Sequence, residues 1–356
     1  MSKPDVVVDA ETSGSQLLVP EPLLKERIFA ALRAAGADEP SAEASTRALL
    51  HASRLGIDSH GARLAVHYAK ALRGGRVNAR PRLTTTRTGS AAAVIDADDG
   101  LGHLASYRAM ELACALAHES GVGAAGVRRS SHFGAAGAYA LAAAEAGFIG
   151  ICVTNADSIV ALHDGAAPFH GTNPIAAAAP VPAGRPWLLD MATSSVPLNR
   201  VHLYATLGRP LPYGVAADAA GRVTAEPALA HMLLPLGGDI FGFKGAGLAG
   251  LVTILSAVLT GAAPDPAMLP MTGTDDFSTP RNVGHFCLAL RIDAFVARGV
   301  YEAAMGQYLA ALRSSRAQEE RQVLAPGDRE WAVEEQRLRS GIPVDQETAR
   351  LLSLVA

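Results

Sequence analysis

At 356 residues, with 49% apolar and 18% charged side chains, the chain can bury a sizeable core and has room for two domains, which excludes global disorder. A net charge of −3 without a basic run, and only 5% aromatic residues, exclude nucleic acid as a main partner, because phosphate binding needs clustered Lys and Arg and base stacking needs rings. Cys114, Cys152 and Cys287 are far apart in sequence, show no metal-ligand spacing and no disulfide framework, and are expected as reduced, buried thiols.

Met1–Gln16 lacks an apolar run of signal-peptide length and reads as a loose tail, so the chain is expected in the cytoplasm. Leu24, Ile28 and Leu32 recur at helical spacing, and Gly36 supplies a stop. Asp38 can cap a second helix, with Pro40 in its first turn, that runs through Leu49 and Leu50 to Gly56. The chain up to Arg73-Gly74-Gly75-Arg76 and Pro81 therefore reads as helical, with a boundary there.

The middle alternates. Short apolar runs at Ala91–Ile95, Val122–Val127, Ile149–Thr154, Ile175–Val181 and Trp187–Leu189 predict strands, with helices over Ala105–His118 and Ala135–Ala146. This pattern indicates an α/β or α+β layer. A long apolar helix is predicted over Ala246–Leu259, too short to span a bilayer. Phe286–Ile292 reads as a late strand, Asp293–Arg316 as a helix, and the C-terminal segment as helical and charged.

Gly121-Val122-Gly123-Ala124-Ala125-Gly126 matches the dinucleotide-binding pattern GxGxxG by letter, but its context is wrong. That fingerprint follows a strand and opens a helix. Here a helix precedes it and a strand follows, which predicts a helix C-cap glycine entering a buried strand.

Several segments could carry chemistry. In Asp58-Ser59-His60-Gly61-Ala62-Arg63, Asp58 or Ser59 can cap a helix that carries His60 and Arg63 on one face. An imidazole moves protons near neutral pH, and a guanidinium grips a carboxylate through two parallel bonds. Read blandly, this is a solvated helix end. His132, in Ser130-Ser131-His132-Phe133-Gly134, sits at the entry to an Ala-rich helix, as an acid/base group or as a hydrogen-bonded core residue. His170-Gly171-Thr172-Asn173-Pro174 forms a turn before a strand, and Asp190-Met191-Ala192-Thr193 follows one, so that its carboxylate can hold a ribose or serve as a cap. Gly237–Gly247 is glycine-rich and contains Lys244 at a helix start, where the dipole disfavours a cation unless an anion joins it. No metal-ligand spacing and no GxSxG nucleophile elbow is present in the sequence.

Taken in order, Gly56-Ile57-Asp58-Ser59-His60-Gly61, Ser131-His132-Phe133-Gly134, Gly171-Thr172-Asn173-Pro174, Leu189-Asp190-Met191-Ala192-Thr193 and Lys244-Gly245-Ala246-Gly247-Leu248 resemble the malate/L-lactate dehydrogenase family, over residues 20 to 350. Its relatives include ureidoglycolate dehydrogenase, 2,3-diketo-L-gulonate reductase, sulfolactate dehydrogenase and cyclic-imine carboxylate reductases. The resemblance implies an α/β (α+β) fold that is not Rossmann, with a helical domain from both chain ends (1–85 plus 300–356) packed on a central cofactor-binding domain (86–299), and a homodimer. It implies hydride transfer between NAD or NADP and a small 2-hydroxy or 2-oxo carboxylate, with no nucleic acid or membrane partner. The alternatives are reduction of a cyclic 2-imino acid, a ureidoglycolate-type dehydrogenase, or a catalytically silent scaffold.

Carried over by position, His60 and His132 are the catalytic candidates, either of which could move the proton. Ser59, Arg63, Thr172 and Asn173 would meet the substrate. Asn155, Asp190, Met191, Ala192, Phe243, Lys244, Gly327, Asp328 and Arg329 would meet the cofactor. The chain departs from the family pattern in four places: Arg63 lies one residue early, Ala156 replaces a hydroxyl residue, Asp239–Gly242 lengthen the glycine loop, and His163-Asp164-Gly165 replaces an aromatic-Gly-Gly.

Overall fold

The structure is a computed structural model that describes residues 16–271 and 273–355. The tail read before Gln16 lies outside them. Strand β1 (Leu17–Val19) leads into helices α1 (Glu21–Ala34) and α2 (Glu39–Arg54). Leu24, Ile28 and Leu32 are all buried, and the Asp38 carboxylate accepts the Ser41 amide at 3.0 Å, capping α2 as its sequence suggests. Helix α3 (Leu64–Gly74) ends on a left-handed Gly75.

Next come β2 (Thr84–Arg87), β3 (Ala92–Asp96), α4 (Gly102–Ser120), β4 (Val122–Ser130), α5 (Gly137–Glu145), β5 (Phe148–Thr154), β6 (Val160–Ala161), β7 (Pro168–His170), β8 (Ile175–Ala179) and β9 (Trp187–Met191). The rest of the chain forms α6 (Leu198–Thr206), β10 (Ala216–Ala217), β11 (Met232–Leu233), α7 (Gly238–Thr253), β12 (Val283–Arg291), α8 (Arg298–Arg313), α9 (Asp328–Ser340), β13 (Ile342–Val344) and α10 (Gln346–Leu351).

Seven strands form the main sheet in the order β2-β3-β4-β12-β5-β8-β9. Only β3 and β4 run parallel; the other neighbours are antiparallel. An Ala-rich face of α4 and α5, including Ala109, Ala113, Ala140 and Ala143, packs on it. The glycine triplet is explained here. Gly121 caps α4 with φ 84°, and a Cβ on Gly123 would lie 2.1 Å from the Ala113 carbonyl oxygen. These glycines therefore end a helix and admit it against the sheet.

A second core joins both chain ends: Leu24, Ile28, Leu49, Tyr68 and Leu72 meet Ile342, Val344 and Leu352. β1 and β13 pair antiparallel within it, Leu17 opposite Val344. A smaller sheet, β10-β11-β6-β7, flanks the glycine loop.

Some expectations change. The C-terminal segment is not wholly helical, because β13 finds a partner more than 300 residues away. The fully exposed Thr-rich β2 carries no apolar alternation to reveal it. Helix α7 starts at Gly238 rather than Ala246 and continues into a π-helical turn, Ile254–Val258. The 21-residue helical run Gly238–Val258 contains an 18-residue stretch of mean hydropathy 1.6, so by length and composition this helix could cross a membrane, which the shorter predicted helix could not. Leu251, Ile254, Val258 and Leu259 are exposed along it. Cys152 and Cys287, distant in sequence, sit opposite each other on β5 and β12 with sulfurs 3.6 Å apart.

Candidate active site

His60 does not lie in the first turn of a long helix. Asp58–His60 is a separate 3₁₀ turn, Gly61 (φ −89°, ψ −149°) breaks it, and α3 begins only at Leu64. His60 and Arg63 therefore do not share a helix face. The turn is pinned from two sides. Arg337 of α9 grips both Asp58 oxygens at 2.5 and 2.8 Å, and Ser53 Oγ accepts the Ala62 amide at 2.9 Å. Ser59, expected on the substrate, has its Oγ 2.8 Å from His60 Nδ1 and so orients the imidazole.

His132 follows the end of β4 and faces His60 with ring centres 5.7 Å apart and planes 29° from parallel. Tyr68 Oη is 2.7 Å from His132 Nδ1. A hydroxyl both donates and accepts, so Tyr68 can bond to that nitrogen with or without its proton. Burial, with Arg63 nearby, pushes His60 down to about 4. His132 is held well below the ordinary imidazole range by burial, then by His60 and Arg281. His67, one turn along α3, is pushed down to about 4 by burial and by Arg281. At neutral pH the three rings are uncharged.

A cation stands beside them. Arg281 is buried, bonds to Asp157 Oδ1 at 2.5 Å and donates to the Leu269 carbonyl at 2.8 Å. Arg63 instead lies exposed on the wall of a cleft of about 510 Å³, with His67, Lys70, Phe277, Asp345 and Glu347.

Of the expected cofactor residues, Asp190 to Ala192, the Gly327 loop and the start of α7 are joined by hydrogen bonds. The Asp190 carboxylate accepts the Gly137 amide at the start of α5 (2.7 Å), and burial raises it to about 6. Beside β9, the Leu188 amide donates to the Pro326 carbonyl (3.2 Å) and Trp331 Nε1 donates to the Pro186 carbonyl (2.9 Å), bringing the Gly327 loop against the strand. Gly327 is left-handed (φ 96°), and a Cβ there would lie 2.9 Å from Trp331 Nε1. Past Met191 and Ala192, the Thr193 amide donates to the Thr172 carbonyl (2.8 Å) and the Leu236 amide to the Thr193 carbonyl (2.8 Å). This links the chain after β9 to the start of α7, where Phe243 is exposed and the Lys244 ammonium lies 5.2 Å from the Phe241 ring centre.

Three expected contact residues are spent on the fold. Asn173 is fully buried. Its oxygen accepts the Ala156 amide, and its nitrogen donates to Ala249 O, Thr253 Oγ1 and Asp265. A substrate contact through its side chain is thus replaced by an internal one. The Asn155 amide is likewise committed to Ala263 O, Asp265 and the Gly284 amide. Asp328 is bidentate to Arg313, while Arg329 beside it is exposed. Among the described residues, no three or more His, Cys, Asp or Glu side chains gather as a metal site.

The sequence profile of the malate/L-lactate dehydrogenase family matches residues 19–353. The chain belongs to that family. It is 35% identical over 345 residues to malate dehydrogenase of Pyrococcus abyssi, covering 95% of this chain and 94% of that one. It is 33% identical to L-sulfolactate dehydrogenase of Methanothermobacter thermautotrophicus (88% and 89% covered) and 31% identical to the NAD(+) ureidoglycolate dehydrogenase of Escherichia coli (79% and 78%). The solved malate dehydrogenase of Pyrococcus horikoshii superposes with a TM-score of 0.86 at 33% identity, covering 95% and 94% of the two chains. Delta1-piperideine-2-carboxylate reductase of Pseudomonas syringae superposes at 0.84 with 27% identity, covering 95% and 100%. As a member of this dehydrogenase family, the chain is an oxidoreductase.

Within this family member, motif reading overlooked Tyr68, His67, Asp157 and Arg281. No motif contains Tyr68 or His67, which the sequence covers only as part of a helical N-terminal segment. Arg281 stands in a Pro-rich loop, and its closeness to His132 exists only once β4 and β12 pair, with Val283 opposite Ser130.

Proposed function

We propose that the protein is a nicotinamide-dependent dehydrogenase of small 2-hydroxy acids, interconverting them with their 2-oxo forms. The observation that carries this reading is the uncharged His60–His132 pair set beside the buried Arg281. Arg281 holds the substrate carboxylate. A neutral imidazole of the pair takes the hydroxyl proton at nitrogen, and Tyr68 stays hydrogen-bonded to His132 through the change. Arg63 and Lys70, on the wall of the adjoining cleft, face the distal end of the substrate.

The path from Asp190 to Lys244 fits NAD or NADP in its donor set. Asp190 can accept from ribose hydroxyls, the exposed Phe243 ring offers a stacking face, and Lys244 and Arg329 offer cations to phosphates. Bound there, the nicotinamide supplies a hydride acceptor and donor. These residues belong to β9, α7 and the loop before α9, so the reading places the cofactor outside any Rossmann nest and makes no use of Gly121–Gly126.

The exposed apolar side chains on α7 and its π-helical turn are read as covered by a second copy of the chain, giving a homodimer in the cytoplasm. The test is a panel of NAD and NADP against malate, lactate, sulfolactate, ureidoglycolate and cyclic 2-imino acids, followed by nicotinamide absorbance. Turnover of at least one 2-hydroxy acid is expected. Turnover of the imines alone would move the assignment to a C=N reductase, and none at all would overturn it.

A further inference from the structure

Asp265 is a carboxylate with no exposed surface, outside every segment the motifs single out. Oδ1 accepts Asn155 Nδ2 at 3.1 Å. Oδ2 meets four donors: Asn173 Nδ2 at 2.7 Å, His170 Nδ1 at 3.0 Å, Thr253 Oγ1 at 3.0 Å and the Gly171 amide at 3.2 Å. So many bonds keep the carboxylate ionised although it is buried. A buried charge this fully solvated by protein locks whatever carries its donors into one arrangement.

Those donors come from three elements. Asn155 directly follows β5, His170 to Asn173 precede β8, and Thr253 ends α7. Two of these segments lead to the site. Two residues beyond Asn155, Asp157 binds Arg281 at 2.5 Å and takes the Met271 amide at 3.0 Å. Thr172 lies between Gly171 and Asn173, and its carbonyl holds Thr193. The segment after Asp265 itself carries Met268 and Leu269, which bond to the Arg281 guanidinium at 3.3 and 2.8 Å. Both holders of Arg281 are thus tied to one carboxylate. Neither His60 nor His132 is among its bonds.

We propose that Asp265 is a positioning residue, whose carboxylate fixes the Asn155–Asp157 and Met268–Leu269 walls around Arg281 and so sets how the substrate carboxylate is held. The inference rests on the proposed reading of Arg281 as the carboxylate-binding cation. It separates binding from proton transfer, since the wall it builds is distinct from the elements that carry the two histidines. Loss of the charge loosens the grip on substrate and leaves the acid/base pair in place.

The experiment compares full-length wild type, Asp265→Asn and Thr253→Val in steady-state kinetics with the 2-hydroxy acid that wild type turns over best. Asp265→Asn keeps the shape, removes the charge and places an NH₂ group among donors. KM is expected to rise about tenfold or more while kcat changes less than about threefold; Thr253→Val, which removes one donor, shifts KM the same way by about threefold. A role in stability alone would lower the melting temperature and the active fraction and leave KM unchanged, and that result overturns the inference. If Asp265→Asn does not fold, Thr253→Val decides by the same criterion. Hydrogen exchange on the same proteins needs no activity. Faster exchange over 155–157 and 268–271, with 58–62 and 130–134 unchanged, supports the inference; uniform or no change overturns it. Absence of wild-type turnover with any acid would instead defeat the proposed function, and the exchange result would still judge Asp265.

Discussion

His60 and His132 stand with their ring centres 5.7 Å apart, and His60 adds to the burial that holds His132 uncharged, although they belong to a 3₁₀ turn in the N-terminal helical segment and to the loop that follows a central strand. Protonating one ring opposes protonation of the other, so one proton at most is held by the pair near neutral pH. That suits a site that must take a single proton from a hydroxyl or return it to a carbonyl.

Replacing His132 or His60 by Asn separates their roles. The ring that moves the proton is expected to cost a factor of about 10² to 10⁴ in kcat, with the substrate KM little changed, and its partner less. Tyr68→Phe, which removes the hydroxyl 2.7 Å from His132 Nδ1, is expected to lower kcat by about tenfold if His132 is that ring. Normal kcat in both histidine variants would place catalysis elsewhere.

The pH dependence follows from the same geometry. In the oxidation direction the base must be neutral, and His60 is held down to about 4, with His132 also low. The histidine limb of kcat/KM is therefore expected well below 6.5, near 4 where His60 is the base, leaving no loss between pH 8 and 6.5. Asp190, raised to about 6, is protonated below that value and then loses an acceptor, so cofactor affinity should fall as the pH drops through 6. Titrating cofactor binding in Asp190→Asn checks this, because the variant should bind weakly at every pH and show no limb at 6.

Arg281 and Arg63 are the two candidates for the carboxylate of the proposed substrate. Arg281→Lys loses the planar fork at a buried site, and KM is expected to rise by a factor of about 10 to 100. Arg63 is exposed, and Arg63→Ala is expected to change KM by less than about fivefold and to alter preference among substrates that differ at the distal end. The reverse ranking would assign the carboxylate to Arg63.

The apolar side of α7 makes the assembly testable. Ile254 and Val258 are 56% and 67% exposed, in the π-helical turn that follows α7. Size-exclusion chromatography with light scattering is expected to give a dimer, and Ile254→Asp with Val258→Asp a monomer. Flotation of the wild type with lipid vesicles instead would point to a membrane as what covers this helix.

Acid should unfold the protein from below neutral pH. Burial pushes His51, His103 and His285 down to about 3, and His60 and His67 to about 4. The unfolded chain binds protons at these rings from about pH 6.5, while the folded chain does not. Their contribution is thus fully present above 6.5 and is lost as the pH falls, at about 1.4 kcal/mol per pH unit for each ring. Asp190 acts in the opposite sense, gaining stability as the pH falls from 6 towards its unfolded value. The histidines outnumber it, so the melting temperature should be flat above pH 7 and decline steeply by pH 5. A constant melting temperature across that range would show that the rings are not held neutral.

Local pattern was enough for much of this protein. The periodicity of Leu24, Ile28 and Leu32, the Asp38 cap and the helix-before-glycine context of Gly121 each depend on near neighbours, and each holds in the fold. The ordered motifs marked both histidines and the Asp190 strand because their residue types are constrained by local chemistry. What the local pattern could not contain is pairing across the chain. β1 meets β13, Asp58 meets Arg337, and Arg281 reaches His132 only when β12 settles beside β4. Asn155 and Asn173 look like ligand contacts as letters, yet Asp265, whose place is set by the end of α7 and the π-helical turn, consumes their side chains. The segment Asp58–Arg63 shows the division most plainly. Its residues announce acid/base chemistry, while Gly61 packed against Ser53, and α9 arriving from the other end of the chain, decide that His60 faces His132 and that the buried cation beside them is Arg281. Side-chain identity is a local property, whereas burial and partner choice are set by contacts between residues far apart in sequence, and those exist only in the folded chain.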